Sequence, residues 1–548
     1  MSKYLIVGGV AGGMSCAARL RRLSEDAKII VFERGEFVSF ANCGLPYYIG
    51  GKIREKSALV LQTPESFKNR FNVDVRVLSE VVRIDPAAKK ITVKDIYVGR
   101  EYEETYDKLI LSPGAEPVRP DILGIEHPAI FTLRNIPDTL KIKNFIETKK
   151  PSTAIVVGGG YIGLEMAENL VEAGLHVTVV EALPQVLNVI DPDIAAMAGI
   201  TLKNNKIILK TGVGGVLSFD DNNGGVRALL SNGQDIKADL VIWSAGVKPE
   251  ISLAKDAGLK TNRGIVVDEY LRTSDENIYA VGDAIEVKNP VTGVMGVMPL
   301  AGPANKQGRL CADNIIEGNK RKYKGTLGAS VLKIFNVTVA AVGPPSKVLD
   351  ALKIPYETVT VHPGSHAGYY PGAASMTLKL IFSPSDGRIL GAQAAGVEFV
   401  DKKIDVISAI MGMKGTVYDL MEFEQCYAPP YSSAKDAVNM AGFVAENVLS
   451  GRIKTITWEK VLANQDDFII LDVRTGGECG RGKAPGAINI PVDDLRQRIG
   501  EIPKGKKIAV HCGVGIRSYI AVRILMQSGF EEVFNISGGY ISYAILKA

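Results

Sequence analysis

The chain has few cysteines and no close pair of them. Six occur in 548 residues, Cys16, Cys43, Cys311, Cys426, Cys479 and Cys512, and no CxxC spacing is present. That excludes a disulfide framework and a structural zinc site, so no metal centre is expected, and a reducing, cytoplasmic setting fits. A dense basic run is also missing. Lys and Arg number 64 against 60 Asp and Glu, a net charge of +4, which gives no reason to expect nucleic acid as a partner. No apolar run reaches membrane-spanning length, so no membrane is expected either. The apolar run 4–7 follows a single basic residue and leads straight into glycines, which reads as a strand and not as a signal peptide.

What the chain does have is length and patterned glycine. The length suffices for roughly three or four domains with cores of their own. Residues 4–7 predict a strand, Gly8-Gly9-Val10-Ala11-Gly12-Gly13 a turn, the next stretch a helix carrying Arg19, Arg21 and Arg22, and residues 28–32 a second strand ending at Glu33. This is a dinucleotide-binding unit, with Val10 at the middle glycine position. Glycines let backbone N–H groups approach a pyrophosphate at the helix N-terminus, and the acid accepts from ribose hydroxyls. A second copy follows the linker 149–151. Residues 153–157 form its strand, Gly158, Gly160 and Gly163 complete the fingerprint, and residues 177–180 lead to Glu181. Two dinucleotides are therefore expected. A carboxylate at Glu181 repels a 2′-phosphate, favouring NADH over NADPH.

Apolar strands meeting a glycine recur at 109–115, with Ser112 and Gly114, at 240–246, ending in Gly246, and at 277–283, ending in Gly282 and Asp283. Such strand ends hold ligands in open α/β sheets. Asp283 is either a ribityl or ribose acceptor or a turn aspartate before a helix. Between the first unit and these strands lies 39–47, Ser-Phe-Ala-Asn-Cys-Gly-Leu-Pro-Tyr. A disulfide reductase usually holds a second thiol close after the first, but the residue at that place is Tyr48. Cys43 is therefore expected to work alone, through a mixed disulfide, a persulfide or a sulfenic acid.

On these residues, positions 1 to about 445 resemble the FAD-dependent pyridine nucleotide-disulfide oxidoreductases, and 39–47 resembles their single-cysteine branch, which includes coenzyme A disulfide reductases, NADH oxidases and NADH peroxidases. Oxidases and peroxidases carry a histidine in the first glycine turn. Here the matching residue is Ala11 and no histidine precedes His127, so a thiol or persulfide substrate is favoured over peroxide or oxygen. The resemblance implies FAD contacts from Gly8, Ala11, Gly12, Gly13, Glu33, Arg34, Ser112, Gly114, Gly282 and Asp283, and NADH contacts from Gly158, Gly160, Gly163, Glu181 and Gly246. It implies coenzyme A contacts from Ser15, Arg19, Arg22, Ser39, Asn42 and Lys435, the arginines suiting phosphates; otherwise Arg19 and Arg22 are a solvated helix face. The run 305–309 opens a helix expected near the flavin. Strands at 330–335, 338–342 and 375–382 and following helices then fit the dimerisation domain of a homodimer. By the same resemblance Tyr369 and Tyr427 reach Cys43 from the partner, where a phenol can donate a proton to a departing thiolate. Tyr370 is an alternative to Tyr369, and interface packing an alternative role for both.

A helix is predicted over 434–449, and a composition break follows at 450–452. Beyond it come a buried strand at 468–473 ending in Asp472-Val473-Arg474, a strand at 507–510, the loop His511-Cys512-Gly513-Val514-Gly515-Ile516-Arg517 and a helix from 518 to 527. The loop's glycines let N–H groups curl inwards; with Arg517 and a helix N-terminus they make a nest for an anionic sulfur. This tract resembles a rhodanese domain. Cys16, Cys311 and Cys479 lack such settings and read as core or incidental.

The expected fold is α/β: two Rossmann-like dinucleotide-binding domains, an α+β dimerisation domain and a C-terminal α/β rhodanese domain. Boundaries fall at 1–115 and 250–325 for the FAD domain, 116–249 for the NADH domain, 326–449 for dimerisation and 452–548 for the rhodanese. The expected activity is NADH-dependent reduction of small-molecule persulfide or polysulfide sulfur, including coenzyme A persulfide, with the rhodanese delivering sulfur. A coenzyme A disulfide reductase proper is one alternative, and a flavin-based redox sensor read by a partner protein is another.

Overall fold

The apolar runs at 3–7, 28–32 and 108–111 have no polar alternation, as expected of strands covered on both faces. In the computed structural model, which describes residues 1–547, they form the middle of a parallel sheet. Its order is Ile278–Ala280, Lys108–Leu111, Lys3–Val7, Lys28–Phe32, Asp74–Arg76. The order in which strands are added reverses beside Lys3–Val7, the switch point at whose carboxyl end ligands of such sheets sit. The helix Ala11–Leu23 leaves the glycine turn there. Its Arg21 is buried and donates to the carbonyls of Phe71, Ala27 and Asn72, so this arginine holds the fold together and is lost to any ligand. The second unit repeats the plan, in the order Ile208–Thr211, His176–Glu181, Thr153–Val157, Leu240–Trp243, Ile130–Phe131, all parallel. Residues 1–184 and 206–328 form one compact unit.

Residues 185–205 and 329–548 form the other. Its first sheet is antiparallel, in the order Ser330–Ile334, Val337–Val342, Ile389–Gly396, Met376–Phe382, Glu357–Val361. The strands Glu357–Val361 and Ile389–Gly396 were not expected. The second is rich in Ala and Gly, weak strand formers, but every residue in it is buried, and its small side chains admit the helix Val400–Gly412 on top. Segment 185–205 joins this sheet through a buried cation: Lys379 Nζ lies 2.9 Å from Asp191 and 3.0 Å from Asp193.

The last sheet is parallel, in the order Lys454–Ile456, Val533–Ile536, Lys507–His511, Phe468–Asp472, Ile488–Asn489. It meets the dimerisation sheet at a polar seam. Thr360 N donates to Ser537 Oγ (2.9 Å), and His362 Nε2 lies 2.9 Å from the Gly538 carbonyl. Burial pushes the His362 imidazole down to about 4, so it stands neutral, its Nε2–H given to that carbonyl. Just beyond, Tyr540 N and Ile541 N donate to the carbonyls of Cys512 and Gly513 (2.7 and 3.1 Å).

Three expected helix starts move. The helix placed at 518 begins at Ile516, because Gly515 at φ 121° makes the turn into it, so Arg517 lies in the first helical turn and not in the loop. The helix placed at 434 begins at Ala437, where Asp436 caps it by accepting from Val438 N. The helix expected to open at 305 starts at Ala301, with Pro303 in its first turn. No helix among the described residues is long and apolar enough to cross a membrane.

Candidate functional site

The two glycine turns are built alike. A Cβ on Gly8 would lie 2.0 Å from the Ser112 carbonyl oxygen, one on Gly12 2.8 Å from Ser112 Oγ, and one on Gly13 2.0 Å from the Gly8 carbonyl oxygen. In the second unit a Cβ on Gly163 would meet the Gly158 carbonyl at 1.9 Å, whereas at Gly160 it would meet nothing within 4 Å. The first set lets strand and helix close, and the open side of Gly160 is where a ligand's backbone has room. The acids match as well. Glu33 accepts from Gly9 N and Gly35 N (both 2.8 Å), and Glu181 accepts from Gly159 N and Leu183 N (2.7 and 2.8 Å). Each carboxylate thus faces its own glycine turn, where a nucleotide ribose would be read. Ala11 opens the first helix behind Gly8, Gly12 and Gly13. Gly282 N donates to Gln307 Oε1 (2.7 Å), and Asp283 follows in a short turn where burial holds its carboxyl above the ordinary range. Gly114 and Gly246 both take positive φ at strand ends. Arg34 pairs with Glu116 (2.5 Å) at the rim. These residues fit two dinucleotides.

Cys43 sits in the one-turn helix Asn42–Gly44, exposed, followed by the short helix Leu45–Ile49. Ser39, before it, takes a left-handed φ of 44° while its N donates to the Gly9 carbonyl (2.8 Å), which ties this stretch to the first turn. The walls of the cleft and the carboxylates of Glu165 and Asp283 push the Cys43 thiol above the usual cysteine range. Glu165 was not anticipated. It belongs to Tyr161–Glu172, the second fingerprint helix, against which Leu45–Ile49 packs, and it is hydrogen-bonded to Tyr47. Burial and the neighbouring Glu168 raise its carboxyl to about 7; burial and the two glutamates raise Tyr47 to about 12. Of the expected coenzyme A contacts, Ser15 Oγ donates to Asn305 (2.5 Å), Arg19 Nε pairs with buried Asp313 (2.6 Å), and Arg22 and Asn42 are exposed. Arg19 therefore reaches a ligand only by sharing its guanidinium with Asp313.

In the second compact unit Tyr369 and Tyr427 meet, their hydroxyls 2.7 Å apart, the two residues 76 % and 47 % exposed. That bond from Tyr369 raises Tyr427 above the usual phenol range. Tyr370 turns instead to an edge-on contact with His366, 5.7 Å between ring centres. Of the two adjacent tyrosines, Tyr369 is therefore the one whose hydroxyl joins a second phenol. Lys435 is exposed just before the cap of Ala437–Leu449.

Cys512 is buried at the end of Lys507–His511. Gly515 N donates to its Sγ (3.1 Å), Ser518 Oγ lies 3.6 Å away, and Arg517 is hydrogen-bonded to it. Two acid–arginine pairs frame this nest. Asp472 holds Arg474 (Nη2 to Oδ2 2.6 Å) below the strand end, and Glu478 holds Arg517 with both guanidinium nitrogens at 2.7 Å. Glu478 was also missed, although Thr475-x-x-Glu478 is a capping-box pattern. Cys479 donates to Asp472 (3.2 Å); burial and that carboxylate raise its thiol to about 11, and Cys16 and Cys311 are buried. No group of His, Cys, Asp and Glu able to hold a metal occurs among the described residues.

Family profiles agree with this geometry. The pyridine nucleotide-disulphide oxidoreductase profile matches residues 2–308, that of its dimerisation domain matches 330–438, and the rhodanese-like domain profile matches 455–545. The chain belongs to the pyridine nucleotide-disulphide oxidoreductase family, as a flavin enzyme carrying a C-terminal rhodanese domain. Among its relatives, the coenzyme A disulfide reductase of Staphylococcus aureus (strain JH9) is 36% identical over 448 residues, 81% of this chain and 100% of that protein. The structure of reduced Bacillus anthracis CoADR-RHD superposes with a TM-score of 0.96 at 49% identity, covering 100% of this chain and 98% of that one. The structure of a NAD-dependent persulfide reductase from A. fulgidus gives 0.92 at 36% identity, covering 99% and 100%.

Proposed function

We propose that the protein is an NADH-dependent reductase of persulfide and polysulfide sulfur, coenzyme A persulfide included, in which Cys512 accepts sulfur and Cys43 reduces it. The observation that carries this reading is the presence of two thiols without thiol partners. Cys43 stands exposed between two dinucleotide turns, and Cys512 sits in a nest of donors. Glu33 and the first turn would hold FAD, and Glu181 and the second turn NADH; bound there, the pair would supply the two electrons that reduction of sulfur needs.

The rest falls to the protein. The Cys43 thiolate attacks the outer sulfur of R–S–SH; a new S–S bond forms as the old one breaks, and R–S⁻ leaves. Two electrons then cleave the Cys43 persulfide to thiolate and HS⁻. The sum is NADH + H⁺ + RSSH → NAD⁺ + RSH + H₂S. In a homodimer the Tyr369–Tyr427 pair of one subunit serves Cys43 of the other, one phenol steadying the second as it hydrogen-bonds the leaving thiolate. Ser15, Ser39, Asn42, Arg22 and Lys435 would seat the coenzyme A moiety. Steady-state rates with coenzyme A disulfide, coenzyme A persulfide and polysulfide test the assignment. A kcat/KM for either persulfide-type donor above that for the disulfide is expected. Turnover of the disulfide alone would assign a coenzyme A disulfide reductase proper and refute the proposal.

A further inference from the structure

The rhodanese site departs from a free anion trap. Arg517, besides its bond to Cys512, gives both terminal nitrogens to Glu478, in a parallel pair at 2.7 and 2.7 Å. The carboxylate is itself fixed: Glu478 Oε2 accepts from Thr475 N and Oγ1, both 3.0 Å, at the start of Gly476–Gly480. The Arg517 bond holds Glu478 down to about 2, so it carries its charge at any working pH. The pair lies directly over the nucleophile's loop. A Cβ added to Gly513 would be 3.5 Å from Arg517 Nη2 and 3.9 Å from Glu478 Oε1. The second guanidinium of the region, Arg474, is likewise matched by Asp472 and stacked 3.8 Å over the Tyr540 ring. Around the buried sulfur the exposed residues of the loop and helix are apolar: Val514 (37 %), Ile516 (60 %) and Ile520 (42 %).

We infer that Glu478 is a specificity-determining residue, closing the Cys512 site to doubly charged donors such as thiosulfate and leaving it to sulfane sulfur on a neutral or singly charged carrier, the singly protonated polysulfide included. This rests on the reading of Cys512 as the sulfur acceptor. The transfer is Cys512–S⁻ + R–S–SH → Cys512–S–SH + R–S⁻, one S–S bond formed and one broken, with no net oxidation. With thiosulfate the leaving group is sulfite, and the dianion must come within contact of Sγ, beside a fixed carboxylate whose arginine is already neutralised. Like charge at that range is a strong rejecting device. An alkyl persulfide brings at most one charge and lays its carbon chain on the valine and isoleucines.

The test loads full-length holoenzyme with thiosulfate or with 2-hydroxyethyl persulfide and follows, by mass spectrometry, the gain of one sulfur on the peptide containing Cys512. Wild type is expected to load faster from the persulfide. Glu478→Gln, which keeps the hydrogen-bonding shape and removes the charge, is expected to raise the thiosulfate-to-persulfide ratio of loading rates at least about tenfold. Glu478→Asp, which keeps the charge, is expected to go on rejecting thiosulfate, and this holds the proposal testable should the glutamine variant fold poorly. An unchanged ratio in Glu478→Gln, or a thiosulfate-accepting Glu478→Asp, overturns the inference and leaves Cys512 an acceptor. Loading of wild type from neither donor overturns that acceptor role along with it.

Discussion

Cys43 and Cys512 are both solitary thiols beside a helix, yet their surroundings are opposite. Cys43 is exposed at its short helix, and partial burial of its sulfur, with the carboxylates of Glu165 and Asp283 that it faces, raises its thiol. Cys512 is fully buried and faces donors: a backbone N–H, a serine hydroxyl and a guanidinium. A thiol that must accept electrons through a neighbouring cofactor needs open space and a proton source nearby, and Glu165, at about 7, can hold that proton. A thiol that must hold a terminal sulfur needs donors pointing at it. The difference teaches that two solitary thiols of one chain are told apart by the groups set around them, carboxylates at one and donors at the other.

The largest effects separate the two thiols outright. Cys43→Ser is expected to lower NADH-driven sulfur reduction by about a thousandfold or more, because no second thiol stands near to bypass it. Reduction of the bound flavin by NADH, followed by its absorbance, should survive. Substantial turnover on a small persulfide would end the claim that Cys43 acts alone. Cys512→Ser should slow turnover with bulky or elemental donors by roughly tenfold or more, through loss of the tethered acceptor. It should leave coenzyme A persulfide nearly unaffected, since that donor reaches Cys43 directly. Equal loss on both donors would refute the relay and make the two sites parts of one.

Much of this contrast is legible in the chain. Gly8, Gly158 and Gly163 announce themselves because only glycine fits a Cβ-free contact, and Glu33 and Glu181 because an acid at a strand end has one common use there. Cys512 is legible because its glycines, arginine and helix crowd into a few residues. Glu165 is not, since its meaning comes from Tyr47, over a hundred positions away, and from the packing of two helices. Glu478 escapes for the same reason: its capping box is local, but its grip on Arg517 crosses 39 positions. The strand Ile389–Gly396 is hidden by its own small residues, which report the closeness of a helix and not the preference of the backbone.

Glu165 sharpens the comparison through pH. Its carboxyl titrates at about 7 in the fold and in the ordinary carboxylate range when unfolded. The folded state therefore keeps a proton that the unfolded chain has lost between those values. Its contribution to stability is complete below the ordinary range and is lost as pH rises through about 7. Wild type should lose about 3 kcal/mol against Glu165→Gln over that window, measured by urea midpoints at fixed flavin occupancy. Parallel pH slopes for the two proteins would remove Glu165 as the proton holder beside Cys43.

The smallest effect expected distinguishes the sites by what feeds them. Glu181 turns its carboxylate to the second glycine turn, accepting from Gly159 N and Leu183 N. On the proposed assignment a 2′-phosphate on the ribose read by Glu181 would meet a like charge, so NADPH would be disfavoured by repulsion. Glu181→Ala removes the repulsion and also the two backbone bonds, so kcat/KM with NADH should fall while that with NADPH rises or holds. The preference should narrow about fivefold, because no arginine follows Glu181 to bind the phosphate in its place. In the proposed scheme only Cys43 depends on the nucleotide, so sulfur loading of Cys512 should be indifferent to this change. A preference left intact would put the ribose elsewhere, and a change in Cys512 loading would mean that the two thiols do not work independently.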